Sequence, residues 1–182
     1  DGKADYSAEV SVLAAAGGDA VAVIGYLDQG GKGIIQGSLD SGAFDTFILS
    51  DGMIGDSLTD AFGADLNKSF GSLPGSTGKG ADVFGKVASA AGIDSSGPYT
   101  GESYDAAALI VLAMQAGGSA DRASIAKNVM AVANGPGKKI YPGQLKKALK
   151  LLAKGKGVDY EGATGVYFTE VGEAFGSFLE KE

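Results

Sequence analysis

The sequence contains no histidine, no cysteine and no tryptophan, and it has only 4 prolines. Without histidine and cysteine, the chain has no Ser-His triad, no cysteine nucleophile, no zinc finger, no iron–sulfur cluster and no disulfide framework. The catalytic side chains that remain are Asp, Glu, Lys, Tyr, Ser and Thr. We therefore expect a protein that is not an enzyme.

Positive charge is also scarce, because 15 Lys and Arg residues stand against 22 Asp and Glu residues and leave a net charge of −7. Such a chain repels nucleic acid, so we expect no nucleic-acid partner. No apolar run approaches the ~20 residues that span a bilayer. Residues 1–5 form no signal peptide. We interpret this opening as a processed or trimmed end, which leaves an extracytoplasmic location open.

The first half of the chain alternates helix and strand patterns. Residues 20–26 form a continuous apolar run, the pattern of a parallel strand covered on both faces, and shorter runs at 46–50 and 69–73 predict two more strands. Helices are predicted at 5–16, 28–39 and 56–62. Because parallel neighbours are joined by crossover helices, the fold class is α/β with a doubly wound parallel sheet.

Beyond Pro74 the pattern becomes mainly helical, starting after a glycine-rich loop at 75–80. Helices are predicted at 81–91, 103–116, 119–133 and 142–154, a short strand near Ile140, and a hairpin from 165–169 and 174–179. We divide the chain into 1–74, a set of β-α units; 75–160, a segment that crosses to another lobe; and 161–182, a returning hairpin. No Gly-Lys pair completes the motif G-x-x-x-x-G-K-[ST] that a phosphate-binding loop requires.

Lysines cluster between Lys138 and Lys156, with no acidic residue among them. Lys146, Lys150 and Lys154 are four residues apart and share one face of the predicted helix, whereas leucines form the other face. A solvated amphipathic helix is the simpler interpretation, and docking to an acidic partner is the alternative.

Tyr26 and Asp51 each lie at the carboxyl end of a predicted parallel strand. In open α/β sheets, ligands bind in the crevice beyond the carboxyl ends of the strands. A phenol and a carboxylate that converge there can bind an ammonium group. The alternatives are a Tyr26 ring buried under a loop, and an Asp51 that bonds its own backbone in a turn ahead of Gly52.

Three motifs carry a resemblance: Gly25-Tyr26, the loop at 50–58, and Gly97-Pro98-Tyr99 leading into the segment 104–107. In their order and spacing they resemble the type I periplasmic binding proteins, in particular the branched-chain amino acid (Leu/Ile/Val) receptors of ABC transporters. The resemblance implies a periplasmic binding protein without a cofactor or metal, which captures a small ligand between two lobes and delivers it to a membrane permease. A ligand-sensing domain of a receptor or regulator is the alternative.

The resemblance also implies roles for individual residues. Tyr26 would contact the bound amino acid, Asp51 would pair with its α-ammonium group, and Tyr99 would reach from the opposite lobe to cover its side chain. Asp51 stands where this subfamily commonly has a glutamate, which leaves the identity of the ligand open. Met53 is a further candidate for the apolar side of the pocket. Family members are much longer, so the resemblance implies a C-terminal fragment, whose cleft would be completed by the missing lobe or by a second copy.

Overall fold

Helices and strands alternate along the chain in the computed structural model, which describes residues 3, 5–170 and 172–182; Val171 of the predicted hairpin turn lies outside these residues. The helices are α1 (Ser7–Ala16), α2 (Lys32–Ser41), α3 (Asp56–Phe62), α4 (Lys79–Ala90), α5 (Thr100–Gly117), α6 (Arg122–Ala133) and α7 (Leu145–Leu152). The strands are β1 (Val21–Val23), β2 (Phe47–Leu49), β3 (Phe70–Pro74), β4 (Lys138–Ile140), β5 (Val158–Tyr160), β6 (Tyr167–Glu170), β7 (Glu173–Phe175) and β8 (Phe178–Lys181). Among the described residues, no helix combines the length and apolar character needed to cross a membrane.

The chain divides into two compact units. The first, which we call the sheet unit, comprises Asp1–Leu73 and Phe178–Glu182. The second, which we call the helical unit, comprises Pro74–Ser177.

The sheet unit is built on a four-stranded sheet in the order β1-β2-β3-β8. Strands β1, β2 and β3 are parallel, and Ile48 is in register with Ala22 on one side and with Phe70 on the other. Helix α2 connects β1 to β2, and α3 connects β2 to β3. These two consecutive βαβ units confirm the predicted α/β class with a parallel sheet.

Apolar side chains cover one face of this sheet. Val23 and Phe47 point into the same core as Ile35 of α2, and all three are buried. On the opposite face, Ile48 and Phe70 remain 41% and 43% exposed. The continuous apolar run had predicted a strand covered on both faces, but the described residues cover only one. An apolar run shows that both faces of a strand are apolar. Which segment packs on each face depends on the tertiary structure.

The helical unit contains a βαβ unit of its own, in which α7 connects the parallel pair β4 and β5. Its core joins Leu112 of α5 and Val132 of α6 to Ile140 and Tyr160 of the two strands, all of them buried. Strand β5 had escaped the sequence analysis, because three residues with a central Asp159 do not make a recognisable apolar run.

The last segment of the chain forms the antiparallel hairpin of β6 and β7. The chain was expected to continue the hairpin strand to Leu179, but β7 ends at Phe175 and β8 pairs with β3 instead. The segment Ala174–Leu179 therefore contributes to two different sheets.

Candidate functional site

The loops that follow β1 and β2 are joined at the carboxyl end of the parallel sheet. The backbone N–H of Ser50 donates to the carbonyl of Val23 at 3.2 Å. The Ser50 hydroxyl in turn accepts a hydrogen bond from the backbone N–H of Gly25, also at 3.2 Å. These bonds hold the residue before Tyr26 next to the residue before Asp51.

Tyr26 projects from this edge with its side chain in solvent. The residue is 64% exposed, so a ring buried under a loop is not what the structure shows. Its backbone carbonyl accepts hydrogen bonds from the N–H groups of Gln29 at 3.2 Å and Gly31 at 3.1 Å. The backbone of Tyr26 is therefore anchored to the turn that begins α2, while the ring faces outward.

Gly52 allows the two candidate residues to come together. A Cβ atom at Gly52 would lie 2.4 Å from the Gly25 carbonyl oxygen and 2.9 Å from Cδ1 of the Tyr26 ring. Real Cβ atoms do not approach other atoms this closely, so only glycine fits here without a shift of its neighbours. The Tyr26 ring thus lies directly against the residue that follows Asp51.

Asp51 is also exposed, and it begins the short 3-10 helix Asp51–Met53. Its Oδ1 accepts a hydrogen bond from the backbone N–H of Gly52 at 2.8 Å. This is the turn contact that the sequence analysis had named as an alternative, and it coexists with an accessible carboxylate. Among the described residues, no lysine or arginine lies within ion-pair distance of Asp51.

Met53 differs from the other candidates because its side chain is fully buried in the core of the sheet unit. A Cβ atom at Gly31 would lie 2.2 Å from the Met53 sulfur and 2.8 Å from the Tyr26 carbonyl oxygen. Met53 therefore packs behind the turn that carries Tyr26 and presents no surface to a ligand in this structure.

Tyr99, the third candidate, lies in the helical unit at the start of α5. Among the described residues, Tyr99 is the only non-glycine residue with a left-handed backbone, and its φ is 62°. This conformation costs a non-glycine residue about 1–3 kcal/mol and is often found at functional sites. Tyr99 is 39% exposed and lines an open, mostly apolar groove of about 380 Å³ together with Phe84, Ile93, Pro98 and Tyr104.

The sequence analysis missed a buried acidic residue in the helix that begins after Tyr99. The Asp105 carboxylate is buried and accepts hydrogen bonds from the Tyr160 hydroxyl, the backbone N–H groups of Ala163 and Thr164, and the Thr164 hydroxyl. It therefore ties α5 to the segment after β5. The available signal was an acid placed immediately before the apolar stretch 106–114 of α5.

No group of acidic side chains in the described part of the chain is arranged to hold a metal ion. The chemistry of Tyr26 and Asp51 is that of a hydrogen-bonding phenol and an anionic acceptor. Together they offer a cation or a hydrogen-bond donor a negatively charged and partly aromatic surface.

Comparison with known proteins places this geometry in context. No protein-family model matches the chain. A stretch of 68 residues, 37% of this chain, is 38% identical to the chemotactic signal transduction system substrate-binding protein BasB of Halobacterium salinarum, and it covers 16% of that protein.

Two solved structures match almost the whole chain. The leucine-binding protein LivK of Thermotoga maritima superposes with a TM-score of 0.68 at 21% identity, over 98% of this chain and 45% of that one. A type 1 periplasmic binding protein of Bordetella pertussis gives a TM-score of 0.62 at 16% identity, over 98% of this chain and 51% of that one. The chain thus spans about half the length of either structure. At these identities the likeness establishes the fold and confirms the one that the sequence motifs predicted.

Proposed function

We propose that this chain, which has the fold of the type I periplasmic binding proteins, is part of the solute-binding component of an ABC transporter. It captures an amino acid in an extracytoplasmic compartment and presents it to a membrane permease. It does so by binding alone, without catalysis. The solved proteins that share its fold are binding proteins, and one of them is a leucine-binding protein.

The observation that carries this proposal is the exposure of Tyr26 and Asp51 side by side at the carboxyl edge of β1 and β2. This is the edge at which open α/β sheets bind ligands. The Asp51 carboxylate can accept a charge-assisted hydrogen bond from an α-ammonium group, and the Tyr26 phenol can add a second contact. The absence of a competing lysine or arginine at Asp51 among the described residues leaves its charge to a ligand.

In this proposal, residues 1–74 belong to the second lobe of the binding protein, and residues 75–160 belong to its first lobe. Of the returning segment 161–182, Phe178–Glu182 lie in the sheet unit and return to the second lobe. Tyr99 contacts the side chain of the amino acid, and its exposure beside a mostly apolar groove of the helical unit supports this role. Met53 supports Tyr26 from the core.

We further propose that an additional lobe, or a second copy of the chain, completes the ligand cleft. Two observations support this. The solved proteins of this fold are about twice as long as the region matched here. The row formed by Ala22, Ile48 and Phe70 leaves one apolar face of the sheet exposed, although parallel sheets are ordinarily covered on both faces.

The ammonium site can be tested by nuclear magnetic resonance on the 182-residue chain. Millimolar L-leucine should shift the backbone signals of Gly25, Tyr26, Asp51 and Gly52, with weak affinity because part of the ligand stays in water. N-acetyl-L-leucine lacks the ammonium group and should leave these signals in place. If both compounds produce the same shifts, or if L-leucine and the other amino acids shift none of these signals, the proposed site is wrong.

Asp51→Asn provides the matching test on the protein. Loss of the charge-assisted hydrogen bond should weaken L-leucine binding by about tenfold or more. Asp40→Asn is the control, because Asp40 is also exposed but lies near the carboxyl end of α2, at the opposite edge of the parallel sheet. If Asp51→Asn binds L-leucine with the affinity of the wild type, Asp51 does not contact the ammonium group.

A sensing role is the second candidate, and the match to a chemotactic substrate-binding protein favours it. The ligand site would be the same in both cases, whereas the partner would be a membrane receptor instead of a permease. A transport assay with vesicles that contain the reconstituted permease distinguishes the two candidate functions. Transport stimulated by the ligand-loaded protein supports the first candidate, and receptor signalling without transport supports the second.

A further inference from the structure

Five exposed lysines line one concave surface of the helical unit. They are Lys146, Lys147, Lys150, Lys154 and Lys156. We call this surface, an open concavity of about 520 Å³, the lysine groove. Lys146 and Lys150 lie one turn apart on α7, and Lys154 and Lys156 follow just after the helix ends.

The opposite side of α7 is occupied by the core. Ala148 is fully buried, and Leu145, Leu149 and Leu152 pack against the same core cluster. An amphipathic helix that inserts into a bilayer needs a free apolar face. Helix α7 has already used its apolar face within the protein, so only its lysine face is available to a partner.

No ion pair among the described residues involves a lysine of the groove. The one ion pair in this segment among the described residues joins Lys139 to Glu161, outside the groove. Like charges one helical turn apart repel each other. Five ammonium groups on one short segment therefore oppose folding of the isolated chain, and an anionic partner would relieve this repulsion.

The distribution of charge along the chain strengthens the contrast. The helical unit contains 11 Lys and Arg residues and 9 Asp and Glu residues, a net charge of +2. The sheet unit contains 4 and 13, a net charge of −9. The lysine groove thus concentrates positive charge in a protein that is strongly acidic as a whole, and such a patch attracts partners of opposite charge selectively.

We propose that the lysine groove is the docking site for an acidic helical segment of a protein partner. Lys146 and Lys150 of α7 match carboxylates placed at every fourth position of a helix, which recur about every 6 Å along its axis. Lys154 continues the four-residue interval just after α7 ends. The inference does not depend on the amino-acid site.

The test uses a labelled helical peptide with glutamate at every fourth position and alanine and glutamine elsewhere. Fluorescence anisotropy on the 182-residue chain should show saturable binding that weakens steeply with salt. A peptide of identical composition, in which the glutamates are contiguous, should bind at least fivefold more weakly. Equal binding of the two peptides would overturn the proposed match of spacing.

The matched variants remove the same number of charges from different places. Lys146→Gln/Lys150→Gln/Lys154→Gln should weaken binding of the spaced peptide by tenfold or more and reduce its salt dependence. Lys86→Gln/Lys127→Gln/Lys181→Gln removes three exposed lysines outside the groove and should change the affinity less than twofold. Equal losses of affinity in the two triple variants would show that the peptide is attracted by surface lysines in general and not by the lysine groove, and would overturn the proposal.

Two further measurements examine other occupants of the groove. Phosphatidylglycerol vesicles should bind the wild-type chain and the groove variant equally poorly, and groove-dependent vesicle binding tighter than peptide binding would assign the groove to a lipid surface instead. Sedimentation should give the same mass for wild type and groove variant. Oligomers that disappear in the groove variant would identify a second copy of the chain as the occupant and overturn the proposal.

Discussion

The phenol oxygen of Tyr160 lies 2.8 Å from Oδ1 of Asp105 and donates a hydrogen bond to it inside the helical unit. Both side chains are buried, and no cation within ion-pair distance balances the carboxylate among the described residues. Hydrogen-bond donors from β5 and the residues after it satisfy Asp105 instead. This arrangement joins α5, the helix that begins next to Tyr99, to the end of the βαβ unit.

Replacement of this carboxylate should destabilise the protein. Asp105→Asn substitutes an amide N–H₂ for one acceptor oxygen and points it at groups that are themselves donors. We expect the free energy of unfolding to fall by about 3 kcal/mol, measured by urea unfolding followed by circular dichroism. Asp60→Asn is the control, because Asp60 is exposed, and it should leave the unfolding midpoint essentially unchanged. An Asp105→Asn protein as stable as wild type would show that the network contributes little.

The same pair predicts a loss of stability at high pH. Burial and the neighbouring Asp105 carboxylate raise the pKa of Tyr160 above its ordinary value of 10.0. Above this value the unfolded chain loses the Tyr160 proton while the folded protein keeps it, so the free energy of unfolding decreases as pH rises.

This decrease should amount to about 1.4 kcal/mol per pH unit beyond the onset near pH 10. The measurement compares wild type with Tyr160→Phe, which has no phenol to titrate, by urea unfolding at a series of pH values. The lysines and the other tyrosines titrate in both proteins and cancel in the difference. Parallel curves for the two proteins above pH 10 would contradict the assigned cause.

A methyl group at Gly52 should disturb the ligand site. Gly52→Ala places Cβ against the Gly25 carbonyl and the Tyr26 ring, which forces the two loops apart and costs about 1–3 kcal/mol of stability. Amino-acid binding should weaken by tenfold or more, as measured by nuclear magnetic resonance titration. Gly176→Ala is the control, because no atom lies within 4 Å of its added Cβ. Unchanged amino-acid affinity in Gly52→Ala would show that binding does not depend on the position of the Tyr26 ring.

Substitutions at Met53 distinguish a core role from a ligand contact. Met53→Leu conserves volume, so it should cost less than about 1.5 kcal/mol and change amino-acid affinity less than twofold. Met53→Ala opens a cavity in the core and should cost about 2–5 kcal/mol. A change of affinity in Met53→Leu without a change of stability would mean that the side chain reaches the ligand after all.

Most of the helices and strands were predictable because their signals are local. A short helix was predicted to start at Asp56 or Ser57 and to end at Phe62, and α3 begins at Asp56 and ends at Phe62. Asp5, the first residue of the predicted helix 5–16, lies just before α1, and its carboxylate accepts hydrogen bonds from the backbone N–H and the hydroxyl of Ser7. Strand β5 and the separation of β8 from the hairpin were not predictable, because each depends on a pairing partner distant in sequence.

The site was predictable only in part. The place of Tyr26 and Asp51 after two apolar runs was sufficient to expect them at the same edge of a parallel sheet. The burial of Met53 could not be deduced, because a methionine beside a predicted ligand residue has no local pattern that distinguishes pocket from core. Asp105 was overlooked for a related reason, since its hydrogen-bond donors lie more than 50 residues away.

The sequence by itself was enough to establish the alternation of β-α units, the excess of negative charge and the lysine-rich face of α7. Charge follows from composition, and the periodicity of a helix or strand can be seen within a few consecutive residues. Long-range packing determined which sheet face is covered, that Gly52 brings the Tyr26 ring against the Asp51 turn, and that a buried carboxylate holds α5. These features arise when segments that are far apart in sequence pack together and exclude water. A local sequence pattern does not show which segments will be in contact.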